Sequence, residues 1–359
     1  MYDVITIGSA TKDAFIETDD ANIVSVSKKD CKSEFMSYPY GSKIEINSFS
    51  IALGGGAVNT ACNFANLGMK TATIIKIGND STGNDILSLL KKRNIDTTSV
   101  VVSEKETTGF SVILLSFQGD RTVLAHRGPN ATIKEEDINF EAIKKSKWLY
   151  IAPLNGESTN ILDKIADYAE KNNVNMAINV GTSSIKRGKK YLDKILKTAE
   201  VVLMNAEEAS MLTGIERRSD TKEEKFSKCP IHPDMVKTLK MLKSTKAKIV
   251  VITDGKNGAY AYNGKIFYKC GEFPAKVVST LGAGDAFAST FVTILEKTNW
   301  DIEKALTAAS INSASVVEKF NAQDGQLNVE EIFEKLKFHP EYRVNKYTEE
   351  ACRERETES

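Results

Sequence analysis

Residues 279–285 read Ser-Thr-Leu-Gly-Ala-Gly-Asp, and the apolar run Ala-Phe-Ala-Ser-Thr-Phe-Val-Thr-Ile-Leu follows at 286–295. This small-residue loop leads directly into a helix-forming segment that carries one carboxylate, Asp285, in its first turn. Backbone N–H groups at such a helix start can bind an anion, and the helix dipole adds positive potential there. A carboxylate beside them suits removal of a proton from a hydroxyl while the N–H groups hold a phosphoryl group. The structural alternative is that Asp285 is only a helix-start residue favoured by the dipole.

A second glycine-rich stretch, Gly54-Gly55-Gly56-Ala57-Val58-Asn59, also precedes a predicted helix. Its glycines allow a ligand to approach the backbone closely, and the Asn59 amide offers ligand hydroxyls both a donor and an acceptor. A flexible turn before a helix is the simpler interpretation. A dinucleotide-binding fingerprint is excluded, because Asn59 stands where its third glycine belongs and the first strand ends with Gly8 alone.

The order of the apolar runs predicts the architecture. Strand-like runs lie at 3–7, 71–77, 148–152, 175–179, 201–204 and 248–252, with helical patterns between several of them, for example at 158–171 and 189–197. Strands that alternate with helices are typical of an α/β fold, so we predict a doubly wound, mostly parallel sheet with helices on both faces. Ligands bind to such sheets at the carboxyl ends of the strands.

Two regions depart from this alternation. Residues 43–52 and 108–125 contain β segments without helices between them, including Lys-Ile-Glu-Ile at 43–46. We predict a small inserted β-sheet, formed by about 14–52 and 100–127, that serves as a lid on a domain of residues 1–340. The charged stretch 216–230 is interpreted as a surface loop, and 341–359 as a mobile, charged tail.

Composition argues against several broad classes of function. Lys and Arg together number 48, and so do Asp and Glu, which gives a formal net charge of zero. We therefore expect neither nucleic acid nor a membrane as a partner. No apolar run approaches the roughly 20 residues of a membrane span, and the start of the chain lacks signal-peptide features. The five cysteines form no Cys-x-x-Cys pair and suit a reducing cytoplasm, while the three histidines are too dispersed for a metal cluster.

Polar residues follow several of the predicted strands. Asp13 lies beyond the first strand, where it would accept hydrogen bonds from sugar hydroxyls or act as an ordinary turn aspartate. Asn205 and Glu208 follow the strand at 201–204. Glu208 is either a magnesium-binding group that acts through water or a solvated first-turn glutamate. The loop Thr-Asp-Gly-Lys-Asn-Gly at 253–258 follows another strand and is typical of a nucleotide-side loop, but the Gly-x-x-x-x-Gly-Lys-Ser/Thr pattern of P-loop enzymes is absent.

Together these stretches resemble the ribokinase-like, or PfkB-type, carbohydrate kinase family. Gly-Gly-Ala-Val-Asn-Thr-Ala at 55–61, followed by Gly68 and Gly78, is similar to the family's first signature. Thr-Leu-Gly-Ala-Gly-Asp-Ala-Phe at 280–287 is similar to its second. Asn205 and Glu208 resemble its Asn-x-x-Glu motif, and Thr-Asp-Gly at 253–255 resembles its nucleotide loop. The resemblance extends over about residues 2–337 in the expected order.

The resemblance implies a role for each of these residues. Asp285 is the expected catalytic base, and the expected anion hole for the γ-phosphoryl group of ATP is formed by Gly282, Ala283 and Gly284. The expected sugar contacts are Asp13, Gly55, Gly56 and Asn59. Arg127, which leaves the lid, is expected to reach sugar or phosphate, and Glu208 to place Mg²⁺ through water. The expected nucleotide-binding residues are Asn205, Thr253, Gly255, Gly258 and Asn312.

The chain also departs from the family pattern at three positions. Ser279 stands where the family usually has Asp, a position that supports a monovalent cation in many members, so we expect weak activation by potassium. Thr290 replaces the usual Gly or Ala, which predicts different helix packing there. Thr11 replaces the Asn that ribokinases usually carry two positions before the substrate aspartate, so ribose is not the obvious substrate.

The sequence therefore predicts a cytoplasmic, Mg²⁺- and ATP-dependent kinase for a primary hydroxyl of a sugar or sugar acid. A nucleoside kinase of the same fold is the alternative within catalysis, because the lid determines selectivity. A non-catalytic sugar-binding or regulatory protein on a kinase fold is the alternative from another class. The exposed strand edges and apolar face expected of the lid predict a homodimer built through it.

Overall fold

The structure is a computed structural model that describes residues 1–28, 31–115, 121–216, 229–243 and 247–353. Its strands are β1 (Tyr2–Ile7), β2 (Thr11–Glu17), β3 (Asn22–Lys28), β4 (Cys31–Ser37), β5 (Ser48–Gly54), β6 (Thr71–Ile74), β7 (Lys76–Gly78), β8 (Val101–Ser103), β9 (Gly109–Leu115), β10 (Arg121–His126), β11 (Ser146–Ile151), β12 (Asn175–Asn179), β13 (Val201–Asn205), β14 (Ile249–Thr253), β15 (Ala259–Tyr262), β16 (Ile266–Cys270) and β17 (Val344–Thr348). Its helices are α1 (Gly56–Asn66), α2 (Ser81–Lys92), α3 (Phe140–Lys144), α4 (Leu162–Lys171), α5 (Thr182–Lys186), α6 (Asp193–Thr198), α7 (Ala206–Thr213), α8 (Pro233–Lys243), α9 (Ala283–Lys297), α10 (Ile302–Val317), α11 (Val329–Lys337) and α12 (Glu349–Arg353).

Nine of these strands form the central sheet, in the order β17-β16-β15-β14-β13-β12-β11-β1-β6. The six strands from β14 to β6 are parallel, and β15, β16 and β17 add an antiparallel edge. The predicted doubly wound, mostly parallel sheet is therefore confirmed. The run at 71–77 is divided, because β6 ends at Ile74 and β7 pairs with β8 in a small separate sheet.

Both faces of the parallel part of the central sheet are buried, which explains why its strands are nearly continuous apolar runs. In β11, Leu149 and Ile151 pack into the cluster that holds Ile165 of α4. The intervening Trp148 and Tyr150 face the opposite cluster, with Phe64 of α1 and Phe291 of α9. This second layer brings the starts of α1 and α9 together at one edge of the sheet.

The inserted strands form a four-stranded sheet in the order β10-β9-β2-β5 and a separate β3–β4 hairpin. We refer to the four-stranded sheet as the lid sheet. The prediction of a β segment at 43–46 is wrong, because the strand begins only at Ser48. Polar and apolar residues alternate at 43–46, but this segment does not pair with a neighbouring strand in the described ranges, and Ile46 remains 48% exposed. The loop interpretation of 216–230 lies mostly outside the described residues.

The C-terminal segment differs from the predicted mobile tail. Strand β17 pairs with β16 from Ile266 opposite Thr348 to Cys270 opposite Val344, and α12 follows directly. The charged composition concealed the half-buried Val344 and Tyr347, which pack against the two core clusters. A disulfide joins Cys352 of α12 to Cys229, so these two cysteines are not the free thiols that we expected. Disulfides are rare in a reducing cytoplasm, and the cytoplasmic location remains a prediction.

Candidate active site

The start of α9 is shaped by Gly282, which has φ +76° and caps the helix without a side-chain hydrogen bond. A side chain at this position would be strained by the left-handed backbone. Its Cβ would also lie only 2.2 Å from the Cβ of Ala322, in the loop that follows α10. The loop after α10 thus supports the helix start at which the sequence predicts an anion hole. Asp285 lies in the first turn.

Asp285 contacts the start of α1 directly, since the Asn59 amide nitrogen donates a hydrogen bond of 2.9 Å to Asp285 Oδ2. Burial raises the pKa of Asp285 to about 6, the Asn59 hydrogen bond lowers it, and the nearby Asp13 carboxylate raises it. Burial dominates because desolvation disfavours the charged form of a carboxyl group. A base with a pKa close to neutral pH can both accept a proton and be largely deprotonated under working conditions.

Asp13 lies on β2 in the lid sheet and is 7% exposed. Burial raises its pKa, while hydrogen bonds from Ser111 and Thr11 lower it. The Cβ of an alanine at Gly54 would be 2.8 Å from Asp13 Oδ2 and 3.4 Å from Asn59 Oδ1. Asp13, Asn59 and Asp285 therefore surround one small space between the lid sheet and the two helix starts.

The glycines before Asn59 have different structural roles. Gly55 has φ +97°, and a Cβ there would lie 2.5 Å from the backbone oxygen of Ser9. The close approach of the β1–β2 connection requires a glycine at position 55. The predicted sugar contact is therefore not needed to explain why this residue is glycine. Gly56 faces the site more directly, since a Cβ there would be 3.9 Å from Asp285 Oδ1.

A cavity of about 360 Å³ lies beside the start of α9. Five residues with predicted nucleotide or anion-hole roles line it: Thr253, Gly255, Gly258, Ala283 and Gly284. Its apolar lining residues include Phe273, Val277, Phe287 and Val317. A cleft with apolar walls and a few backbone and hydroxyl groups is suited to a planar ligand with one polar end.

Asn205 and Glu208 form a reciprocal cap at the start of α7. The Asn205 side chain accepts a hydrogen bond from the Glu208 N–H, and Glu208 Oε2 accepts one from the Asn205 N–H. Glu208 Oε1 accepts a bond of 3.2 Å from the Thr182 hydroxyl. Asn205 is paired in the sheet with Thr253, which lines the cavity. No cluster of three or more His, Cys, Asp or Glu side chains suited to a metal occurs within the described ranges.

Asn312 does not line the cavity beside α9, although the sequence predicts a nucleotide-binding role for it. It is fully buried and donates hydrogen bonds to Asn63 Oδ1 (3.0 Å) and to Thr290 Oγ1 (2.8 Å). It lies on the face of α10 turned towards α1 and α9, whereas Ser310, Ser313 and Ala314 of the same helix line the cavity. The unusual Thr290 is accommodated here, because Asn63 and Asn312 both donate to its hydroxyl.

Arg127 is exposed and lies just beyond β10. Its neighbour Asn130 is buried and has the clearer structural role. The Asn130 side chain accepts a bond from Ala10 N and donates one to Ala10 O, both of 2.8 Å. This pair of bonds fixes the β1–β2 connection, which leads into the strand that carries Asp13.

Sequence reasoning singled out Asn59 but missed the other amides near the site. Asn59, Asn63 and Asn66 recur at helical spacing and lie on one side of α1, a pattern that was visible in the sequence. Gln323 and Gln326, the partners of Asn59 and Asn66, come from the loop after α10, which no local pattern connects to α1. Tyr150 was also missed; its buried hydroxyl has no hydrogen-bond partner in the described structure, and burial and Asp285 raise its pKa.

No helix in the described ranges combines the length and apolarity needed to cross a bilayer. Among curated proteins, the chain is 29% identical over 301 residues to a 5-dehydro-2-deoxygluconokinase of Geobacillus thermodenitrificans, covering 80% of this chain and 85% of that protein. It is 27% identical over 266 residues to the probable fructokinase-5 of Arabidopsis thaliana, covering 70% and 76%.

Among solved structures, the ribokinase of Arabidopsis thaliana complexed with ribose and ATP superposes with a TM-score of 0.73 at 21% identity. The match covers 94% of this chain and 99% of that one, which supports the ribokinase-like fold. A family model described as pfkB family carbohydrate kinase matches residues 20–328. This match extends over most of the chain and includes both glycine-rich helix starts, so the protein belongs to the pfkB family of carbohydrate kinases.

Proposed function

We propose that this protein transfers the γ-phosphoryl group of ATP to a primary hydroxyl of a sugar or sugar acid, with Asp285 as the base. One observation carries the proposal. The first turn of α9 borders two spaces, because Ala283 and Gly284 line the large cavity while Asp285 contacts Asn59 beside Asp13. A nucleotide in the cavity would thus meet a polyhydroxyl substrate at the carboxylate.

The chemical step needs little beyond positioning and electrostatics. Asp285 accepts the proton of the substrate hydroxyl as the hydroxyl oxygen attacks the γ-phosphorus. The new O–P bond forms while the bond to the ADP oxygen breaks, and the proton later passes from Asp285 to solvent. The N–H groups at the start of α9 face the negative charge on the transferring group.

Mg²⁺ is the cation expected with ATP, and Glu208 is the residue that fits it in this chain. Both of its oxygens already accept protein hydrogen bonds, which leaves room for contact through water but not for a dedicated protein cage. When bound, Mg²⁺ neutralises phosphate charge. Ser279 offers no carboxylate for a monovalent cation, and its hydroxyl accepts a bond from Leu281 N–H.

A sugar acid is the first substrate to test, because the 29% identical relative is named for one. We expect ATP-dependent ADP release with 5-dehydro-2-deoxygluconate, with fructose, ribose and adenosine as comparison substrates and Asp285→Asn as the control enzyme. Turnover with adenosine, but with none of the other three substrates, would favour the nucleoside kinase. Sugar binding without turnover in the wild type would favour a non-catalytic sugar-binding protein.

We also propose that two copies of the chain associate through the lid sheet. On the face opposite Asp13, Phe49 and Ile51 of β5 and Leu124 of β10 are each more than half exposed. Ile51 and Leu124 lie in one row across the sheet, on its two edge strands, and Phe49 lies in the next row of the same face, so these side chains mark an exposed apolar face. Light scattering at micromolar concentration should give twice the 39.5 kDa of one chain. The double substitution Phe49→Ser and Leu124→Ser should give a monomer, and a wild-type monomer would refute the proposal.

A further inference from the structure

Gln323 lies in the loop after α10 and is 7% exposed. Its amide nitrogen donates hydrogen bonds to the backbone oxygen of Leu53 (2.9 Å) and to Asn59 Oδ1 (3.3 Å). The opposite end of the Asn59 amide donates to Asp285 Oδ2. Three side chains from distant parts of the sequence thus form one line of hydrogen bonds that ends at the proposed base.

The direction of each bond in this line is determined by its two ends. The Leu53 carbonyl can only accept, which requires the Gln323 amide to turn its NH₂ group towards it. The same NH₂ group then faces Asn59 and selects the oxygen of that amide. The ionised Asp285 also only accepts, so it requires the Asn59 NH₂ group. The Leu53 carbonyl and the Asp285 carboxylate, at the two ends of the line, therefore require the same orientation of the Asn59 amide.

We infer that Gln323 is a positioning residue that holds the Asn59 amide with its NH₂ group towards Asp285. This inference rests on the proposed role of Asp285 as the base. Without Gln323, the Asn59 amide is free to rotate and present its oxygen, an arrangement that favours the protonated carboxyl group. Leu53 belongs to β5. Gln323 therefore also connects this end of the lid sheet to Asn59 and Asp285.

Gln326 provides a matched comparison within the same loop. It is 9% exposed, and its amide nitrogen donates to two backbone oxygens, those of Asn59 (3.0 Å) and Ala322 (3.3 Å). It therefore contacts the backbone of Asn59 but does not orient the side-chain amide. Both glutamines should matter for stability, whereas only Gln323 should affect the protonation of Asp285.

The test compares the wild type, Gln323→Met and Gln326→Met, since methionine is similar in length and lacks the amide. The first measurement is the pH dependence of kcat/KM, whose acidic limb reports the base in the free enzyme. The titratable groups that face Asp285, Asp13 of β2 and Tyr150 of β11, are unchanged in both variants. The second measurement is the titration of ¹³C-labelled aspartate carboxyl groups by NMR, with the Asp285 signal assigned from its loss in Asp285→Asn.

We expect Gln323→Met to move the acidic limb and the Asp285 titration upward by about half a unit to one unit, which lowers kcat/KM at pH 6 by roughly twofold to fivefold. Gln326→Met should leave the acidic limb and the Asp285 titration at their wild-type positions, even if the melting temperature of this variant falls. Equal profiles for the two variants would overturn the inference. A wild type without kinase activity would refute the proposed function instead, while the NMR titration would still test the position of Asn59.

Discussion

The starts of α1 and α9 are built alike but differ in what they contribute. Each begins after a glycine with positive φ, Gly55 or Gly282, and neither has a side-chain cap. At α9 the first turn carries a carboxylate, whereas at α1 it carries only the amide of Asn59. We propose that the reaction occurs at the start of α9 and that the start of α1 orients the reacting groups, so damage at the two should have different consequences.

Of the substitutions that test this comparison, Asp285→Asn should have the largest effect. We expect kcat to fall by about 10²–10⁴, because a general base is lost while the helix start remains. The fold should not suffer. Since the folded-state pKa of Asp285 is raised, its charge destabilises the folded protein at pH 7, and the amide should increase the free energy of unfolding by about 1–3 kcal/mol.

Steady-state kinetics and urea unfolding of Asp285→Asn at pH 7 check both parts. Sugar and ATP binding by calorimetry should stay within a few-fold of the wild type. Near-wild-type turnover would show that Asp285 is not the base. A large loss of stability would mean that its carboxylate has a structural role.

Alanine at the two helix-start glycines should instead damage folding. Gly282→Ala brings a Cβ to 2.2 Å from the Cβ of Ala322, and Gly55→Ala brings one to 2.5 Å from the oxygen of Ser9. The strain of positive φ adds to this overlap, so we expect each to lower the free energy of unfolding by about 3 kcal/mol. Gly214→Ala is the control, since Gly214 also has a positive φ, +74°, but a Cβ there would have no atom of the described residues within 4 Å. It should lose only about 1–2 kcal/mol.

The Cys229–Cys352 disulfide is a control outside both helix starts. It links residues 123 positions apart, and its loss through Cys352→Ser should lower the free energy of unfolding by about 2–4 kcal/mol under oxidising conditions. Turnover of the folded variant should match the wild type, because neither cysteine lines the cavity. A change in kcat larger than twofold would mean that the C-terminal segment influences the site.

The smallest expected effect is that of potassium, which we predict to raise kcat less than about twofold relative to tetramethylammonium at matched ionic strength. Ser279 lacks a carboxylate, and its N–H donates to Val317 O. Initial rates at saturating ATP and Mg²⁺ measure this effect. Activation of tenfold or more would show that backbone carbonyls alone form an effective cation site near α9.

Local sequence was sufficient wherever one segment makes its own structure. The Gly-Ala-Gly-Asp stretch and the following apolar run predicted the helix start, and apolar runs predicted the central strands. Asn312 has a predicted nucleotide-binding role but does not line the cavity, because the face that a buried helix turns to its neighbours depends on packing between α1, α9 and α10. Gln323 was invisible, since its partners Leu53 and Asn59 are more than 260 positions away.

The C-terminal segment was misjudged for a related reason. Its charged residues are typical of a mobile tail, but a strand at a sheet edge needs only a few apolar contacts and backbone pairing with β16. Pairing with a strand about 80 residues earlier cannot be inferred from the segment alone. Sequence patterns thus predicted elements and the residues at strand ends, while contacts between distant loops required the structure.

The central claim is that a desolvated Asp285 is the base, and the pH dependence of wild-type kcat/KM tests it most directly. With a pKa of about 6 in the free enzyme, kcat/KM should be level above pH 7 and fall tenfold per unit below 6. The direction follows because the protonated carboxyl group cannot accept a proton from the substrate. A profile that stays level down to pH 4.5, with sugar and ATP stable throughout, would contradict the account.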